Sequence, residues 1–477
     1  MTRIVVLLLG LLLGCGLAAE TNRSDIRLPD MGDAASRSLS LSQENRLGRE
    51  LIREVRMRLP LERDPEVRSY IQELGHRLLA HADGPEFHYQ FFVVDSPAIN
   101  AFAMPGGNVG INSGLILRTR SESELGGVMA HELAHVTQRH IARRLDAQRG
   151  AGFRTLGVLM AAILLGMQDP EVGSAAAMTG LAGSIQEELN FSREHEREAD
   201  NIGLQILARA ELDPEGMPRF FERLQQATQY QSRPPEYLST HPVTENRISD
   251  TRARARQLGT REVRESATYA MIRTKLLVTR AQTPDAAIRH FRAQLDNGDD
   301  PHTARFGLAL ALTEAGDAHE AVELVEHLIH EHGEYVPYYL ALARAQWAAG
   351  DEEQALDTFA LILELFPDNY PTVYYYAEAL HEAGRVHDAR SILRRQLQRG
   401  GPDPALYQRL AQVSSEAGLP HESRLAMAEY YQMHGQLRLA IEQLNQVIDA
   451  RDAELYDKSR ALSRRHELVN DYENRHR

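Results

Sequence analysis

The sequence predicts an α+β domain followed by an all-α solenoid of helical hairpins. Two patterns support this. Up to about residue 265, helical apolar spacing alternates with short β-type runs. From 268 to 477 every apolar pattern is helical, and one motif returns at a fixed interval. With 477 residues, 43% hydrophobic and 25% charged, the chain has enough apolar material for real cores. The net charge of 53 − 67 = −14 removes the electrostatic drive for nucleic-acid binding, so no nucleic-acid partner is expected. The single cysteine, Cys15, excludes an intramolecular disulfide, cysteine-ligated zinc fingers and iron–sulfur clusters.

Residues 1–19 read as an export signal. Arg3 precedes the apolar run Ile4–Leu13, and small residues follow. The run is far short of the roughly 20 residues that span a bilayer. Two fates are open: cleavage near Ala18 or Ala19, or lipidation of Cys15, because Leu12-Leu13-Gly14-Cys15 resembles a bacterial lipobox. Either fate exports the protein, most simply to a Gram-negative periplasm.

The α+β domain is expected over 20–265. Leu47, Leu51 and Val55, then Val67, Ile71, Leu74 and Leu78, follow helical spacing. Phe87–Val94 is a β run. The turn-rich stretch Asn100–Gly114 holds a short strand near Val109–Ile111. Polar Asn108 and Asn112 around that strand suggest an exposed edge, on which an extended substrate could pair. Ser121 and Glu124 form a capping box that opens a helix with Leu125, Val128, Met129, Leu133 and Val136 on its buried face. Residues 156–166 are an apolar run of 11, too short to span. They read as a buried helix or as a lid touching substrate or a membrane surface.

The solenoid is expected over 268–477. Gly316, Gly350, Gly384 and Gly418 are each 34 residues apart, and Ala321, Ala355, Ala389 and Ser423 follow them by five. Glycine supplies the turn between two helices, and the small residue lets them approach. The pattern resembles tetratricopeptide repeats. Tyr335, Tyr338, Tyr339, Tyr370 and Tyr374–Tyr376 fall on the first helices, either as packing or as a binding face.

The chemistry is concentrated on the helix beginning at Ser121. His131-Glu132-Leu133-Ala134-His135 sets two imidazoles about 40° apart on one face, so both reach one cation. Glu132 stands beside such a cation as a proton acceptor, and the cation lowers the pKa of a ligated water towards about 7. A third ligand on the same helix is not expected: Gln138 and Ile141 stand where one zincin pattern has Gly and His. His140, about 180° from His131 around a continuous helix, reads as a surface histidine. Further along, Glu196 and Asp200 share a helical face with Ala199, Gly203 and Ile206 alongside. There Glu196 can bind the metal while Asp200 accepts a hydrogen bond from a ligating imidazole. Glu194, Glu198 and His195 are the rivals.

Four motifs in order, Asn100-Ala-Phe-Ala-Met-Pro-Gly-Gly107, His131–His135, Glu196–Asp200 and Ser239-Thr-His241-Pro242 with Arg247, resemble the zinc peptidases related to the CAAX prenyl protease and the mitochondrial Oma protease. An exported catalytic domain joined to a repeat array resembles the bacterial branch that serves outer-membrane β-barrel assembly. The resemblance implies a zincin-like metalloprotease fold, one Zn2+ on His131, His135 and Glu196, and Glu132 as general base. It also implies periplasmic work on unfolded or stalled barrel proteins, with the repeats docking on the assembly machinery. It brings the His241 loop near the cleft, where His241 is either a fourth, regulatory ligand that closes the shell at rest, or an ordinary loop histidine or transition-state donor. Arg247 is either an oxyanion stabiliser or a structural ion-pair partner. Two rival functions remain: a chaperone or adaptor with a self-inhibited metal site, and a scaffold in which the His-Glu-x-x-His pattern is accidental.

Overall fold

The computed structural model describes residues 39–147, 193–228, 235–259 and 266–476. The leader with Cys15, the apolar run 156–166, and Arg233 and Pro234 before the His241 loop lie outside them. The N-terminal described unit runs α1 (Leu41–Arg58), α2 (Pro65–Leu79), β1 (Gln90–Val94), β2 (Ala101–Met104), β3 (Asn108–Asn112), α3 (Ser113–Arg118), α4 (Glu122–Thr137), α5 (His140–Ala147), α6 (Arg193–Arg209), α7 (Gly216–Thr228), α8 (Glu236–Thr240) and α9 (Glu245–Leu258). Asp64 caps α2 by accepting from the Glu66 and Val67 amides, with Pro65 at the first helical position. The apolar residues read as helical faces in α1 and α2 are buried.

Among the described strands the sheet order is β1-β3-β2, with β3 parallel to β1 and antiparallel to β2. This corrects the expected edge: the Val109–Ile111 strand is central and wholly buried, and β2 lies at the margin. The polar residues that suggested exposure are both buried: Asn108 Nδ2 donates to Pro105 O, whereas the Asn112 side-chain oxygen has no hydrogen-bond partner among the described residues. Gly106 and Gly107, at φ 73 and 91°, make the turn that returns β3 alongside β2.

Helix α4 is buried along all of its 16 residues, beyond the single face read from its sequence. Its Ser121 cap accepts from the Glu124 amide, but the reciprocal half of the expected box is absent, because the Glu124 carboxylate accepts from the Arg120 amide instead. Two close approaches seat α4. A Cβ at Gly127 would stand 3.0 Å from Met217 Cα of α7, and one at Gly203 would stand 3.1 Å from the His131 amide nitrogen. Helix α6 therefore presses its backbone onto α4 beside His131.

From 267 the chain is helical among the described residues: α10 (Ala267–Thr279), α11 (Pro284–Asn297), α12 (Pro301–Ala315), α13 (Ala318–His332), α14 (Val336–Ala349), α15 (Glu352–Leu365), α16 (Tyr370–Glu382), α17 (Val386–Arg399), α18 (Pro404–Glu416), α19 (Pro420–Met433), α20 (Leu437–Asp449) and α21 (Leu455–His476). The glycines of the 34-residue period all have positive φ, from 74 to 92°, at the turns between paired helices. Ala321, Ala355 and Ala389 have no exposed surface.

The array packs against α2 through a seam of charges. Lys275 of α10 is 3% exposed and binds Asp64 (2.9 Å) and Glu66, while its Nζ donates to Tyr375 Oη at 3.0 Å. Tyr375 Oη in turn donates to Asp64. Arg68 pairs with Asp403 at 2.6 Å and donates to Tyr370 Oη. Two of the repeat tyrosines thus serve the contact with the chain's own N-terminal unit.

Candidate metal centre

The structure brings His131, His135, Glu196 and His241 together, all four buried, with one ligand atom from each within 4.8 Å of the others. The closest approaches are 3.0 Å between the Nε2 atoms of His131 and His135, and 3.5 and 3.4 Å from these to the Glu196 oxygens. His241 Nδ1 is 3.3 Å from His131 Nε2 and 3.1 Å from Glu196 Oε1. Tetrahedral zinc with arms of about 2.1 Å has edges of about 3.4 Å, so spacing and donor chemistry fit such an ion.

Each donor has a local cause. His131 and His135 are one helical turn apart on α4. Glu196 and Asp200 are a turn apart on α6 and share a stripe with Gly203, the residue that lets α6 touch α4 at His131. His241 follows the short helix α8 as its C-terminal cap, its amide donating to Tyr237 O. It thus opens the loop, 241–244, that joins α8 to α9, as expected. The Tyr237 ring stacks on it at 4.9 Å.

Asp200 Oδ1 accepts from His131 Nδ1 at 2.9 Å. Arg247, at the start of α9, is buried and committed to both carboxylates: 2.7 Å to Glu196, 2.7 and 2.8 Å to Asp200. It also donates to Pro242 O and lies 4.7 Å over the Phe221 ring. Of its two expected roles, this geometry is that of the structural ion-pair partner. Among the rival ligands, Glu194 is exposed, and Glu198 is paired with Arg143 and His140.

The surroundings shift these groups in different directions, and His135, Glu196 and Asp200 are the ones moved towards the ionisation states a cation requires. Burial, against the pull of Glu196, pushes the His135 imidazole down to about 3, leaving its lone pair free. Burial would raise Glu196, but His241 and Arg247 outweigh it and hold the carboxylate well below its usual range. Asp200 is likewise lowered, Arg247 overcoming burial. His131 is raised, because hydrogen bonds to Asp200 and Glu196 overcome burial. Glu132 differs from the other carboxylates. Burial pushes it up to about 7, drawn back by His241, whose Nε2 is 3.4 Å away. Apart from that ion-pair contact with His241, neither of its oxygens has a hydrogen-bond partner among the described residues, so a buried proton acceptor faces the donor cluster.

His140 contradicts the reading as a surface histidine: it has no exposed surface and its Nδ1 is 2.9 Å from His135 Nδ1. The helical extrapolation fails because α4 stops at Thr137 and Arg139 takes φ 51°, which starts a new helix at His140. No glycine or proline marks that break. The buried Arg139 guanidinium, donating to Glu44 at 3.0 Å and to Leu39 O at 2.5 Å, offsets the strain of about 1–2 kcal/mol. Tyr237 and Phe221 also escaped the sequence reading, because neither belongs to a ligand pattern.

The model for "Peptidase family M48" matches residues 65–255, and that for the tetratricopeptide repeat matches 312–368 and 346–413. The chain is 35% identical over 423 residues to the "Beta-barrel assembly-enhancing protease" of Escherichia coli, covering 88% of this chain and 86% of that protein. The chain belongs to peptidase family M48. A Yersinia pestis protein of the same name is 32% identical over 87% of this chain and 86% of its own length. The mitochondrial metalloendopeptidase OMA1 of Schizosaccharomyces pombe is 30% identical over 38% of this chain and 50% of its own length. This M48 peptidase is accordingly a metalloendopeptidase, with an α+β catalytic domain followed by a tetratricopeptide solenoid.

Proposed function

We propose that the chain is a zinc-dependent endopeptidase that acts in the periplasm on outer-membrane β-barrel proteins, degrading those that stall in assembly. The observation that carries this is the buried quartet of donors with the buried Glu132 carboxylate beside it. His131, His135 and Glu196 would hold one Zn2+, with Asp200 fixing the His131 tautomer. When bound, the ion supplies Lewis acidity and an acidified water. Glu132 takes a proton from the attacking water and passes it to the leaving amine. His241 would be a fourth donor to such an ion at rest, and because catalytic zinc sites keep one position open, it would have to withdraw before peptide enters. The margin strand β2 packs against α4, so an extended client pairing there lies along the metal helix. Unassembled barrel proteins expose unpaired strands of that kind.

The client and compartment follow the relatives' name and the exported leader. The catalytic unit is assigned to 20–265 and the repeat unit to 268–477, the latter docking on outer-membrane assembly machinery. Either the leader is cleaved or Cys15 carries lipid. No helix among the described residues is long and apolar enough to cross a membrane.

The seated His241 also favours a second reading, a chaperone or adaptor whose metal site rests inhibited. Zinc content and casein cleavage of wild type, Glu132→Gln and His241→Ala test the first reading. It expects one zinc per chain, no cleavage by Glu132→Gln and increased cleavage by His241→Ala. A protein without zinc, or a Glu132→Gln variant that still cleaves, overturns the enzyme mechanism. A Glu132→Gln protein that fully restores barrel assembly in cells favours the adaptor.

A further inference from the structure

We propose that His140 is a positioning residue for His135, holding that ligand in its metal-binding tautomer through a relay that ends at Glu198. The inference rests on the zinc reading of the donor cluster and extends it to a residue outside the expected ligand set. His135 turns its Nε2 towards His131 Nε2 (3.0 Å) and Glu196 (3.4 Å), so as a ligand through that atom it carries its proton on Nδ1. That nitrogen faces His140 Nδ1 at 2.9 Å. Two facing ring nitrogens cannot both carry hydrogen, so His135 donates and His140 Nδ1 is bare. The His140 proton then sits on Nε2, where Glu198 Oε2 accepts it at 3.2 Å. Glu198 is anchored by Arg143 Nη1 at 2.9 Å, and the His195 ring stacks over His140 at 4.4 Å and 17°. A metal-binding His135 therefore dictates one proton arrangement along the whole relay, and every partner it requires is in place.

The backbone is shaped to make this possible. On a continuous helix His140 would stand about 140° from His135 and could not reach it. The break at Arg139 turns α5 so that His140 lies beside the ligand. The two ligands on α4 are thus supported differently: His131 directly by the buried carboxylate of Asp200, His135 through a neutral imidazole to a carboxylate one-third exposed.

The test uses the full chain and Zn2+ alone as probe, with affinity read by chelator competition and folding by calorimetry of the metal-free protein. Removing such a partner of a ligating histidine costs about 10–100-fold in metal affinity, so His140→Leu is expected to bind Zn2+ that much more weakly. His140→Asn, whose amide oxygen can accept from His135 Nδ1 in place of the imidazole, is expected within about threefold of wild type. A packing role alone would favour Leu at least as well as Asn. His140→Leu within threefold of wild type, or His140→Asn as weak as His140→Leu, overturns the proposal. Should His140→Leu fail to fold, Glu198→Ala at the relay's surface end decides: it is expected to weaken Zn2+ binding by about threefold or more, and unchanged affinity overturns the relay. Wild type that binds no Zn2+ overturns this inference together with the zinc reading, whereas zinc-binding wild type with a tight His140→Leu variant overturns this inference alone.

Discussion

Replacing Arg247 by methionine separates the two roles a buried cation beside a metal site can play. The guanidinium touches Glu196 at 2.7 Å and Asp200 at 2.7 and 2.8 Å, and all three groups are buried. Methionine keeps most of the packing on Phe221 and leaves two buried carboxylates without their cation. Removing one partner of a buried ion pair costs about 3–5 kcal/mol. The His131 contact with Asp200 persists, so the lower end applies, about 3 kcal/mol in metal-free protein. For a domain of this size 1 kcal/mol is worth about 2–4 °C, so the catalytic transition should fall by about 6–12 °C. Calorimetry is the assay, because the lone tryptophan, Trp347, lies in the repeat array. Zn2+ should restore part of the loss, since the ion takes over the Glu196 charge. The pH dependence has a definite sign. Glu196 and Asp200 have folded pKa values below their ordinary 4.5 and 3.8. Their stabilisation is therefore present above about pH 4.5 and lost as pH falls through the depressed folded values. The gap between wild type and variant should narrow in that acid range. A metal-free variant melting within about 2 °C of wild type would refute the ion-pair role. A fall in kcat with stability intact would point instead to direct contact with the reacting carbonyl oxygen.

Three further outcomes are expected. Lys275→Met strands Asp64 and Glu66 in the seam between array and catalytic domain, and should cost about 3–5 kcal/mol and speed proteolytic separation of the two; unchanged calorimetry and proteolysis would count against the latch. Gly350→Ala meets nothing within 4 Å but must hold φ 88°, so it should lose about 1–2 kcal/mol, read as a lower urea midpoint of Trp347 fluorescence three residues away; a raised midpoint would contradict the left-handed turn. Asp200→Asn should weaken Zn2+ binding by about 10–100-fold in chelator competition, and unchanged affinity would remove Asp200 from the support of His131.

What the sequence revealed of this fold depended on whether the cause was local. The repeat turns were legible because a left-handed φ between helices needs glycine, and glycine recurs every 34 residues. The pair His131 and His135 was legible because one helical turn suffices to bring them together. The position of β3 was not: Asn108 and Asn112 looked like solvent-facing residues, but α1 covers Asn108, whose Nδ2 donates to Gly48 O at 3.4 Å, and Asn112 is buried with its side-chain oxygen unpartnered among the described residues. His140 failed for a related reason. The α4 break is made by Arg139 reaching Glu44 and Leu39 O, residues nearly a hundred positions away, so no neighbouring residue signals it. Tyr375 was seen as a repeat tyrosine, yet its partners Asp64 and Lys275 belong to two other segments.

The donor set itself poses the sharper question, because potential donors 61 positions apart in sequence, His135 and Glu196, are brought within 3.4 Å of each other. The ligands cannot accomplish that alone: before a cation binds, Glu196, Asp200 and Arg247 are charges that resist burial unless paired. Two features resolve the conflict. Gly203, two helical turns beyond Glu196, fixes the depth at which α6 lies on α4, so carboxylate height over the imidazoles is set by backbone contact. Arg247 neutralises the carboxylates in the meantime, and its fork to Asp200 aligns the group that orients His131. On this argument Gly203→Ala, whose methyl would stand 3.1 Å from the His131 amide nitrogen and 3.0 Å from Met217 Cε, should lift α6 by a few tenths of an ångström. Zn2+ affinity should then fall by about tenfold or more while the metal-free melting point moves by only a few degrees. Affinity that tracks stability alone would show that the carboxylate finds the ion without help from the helix seat.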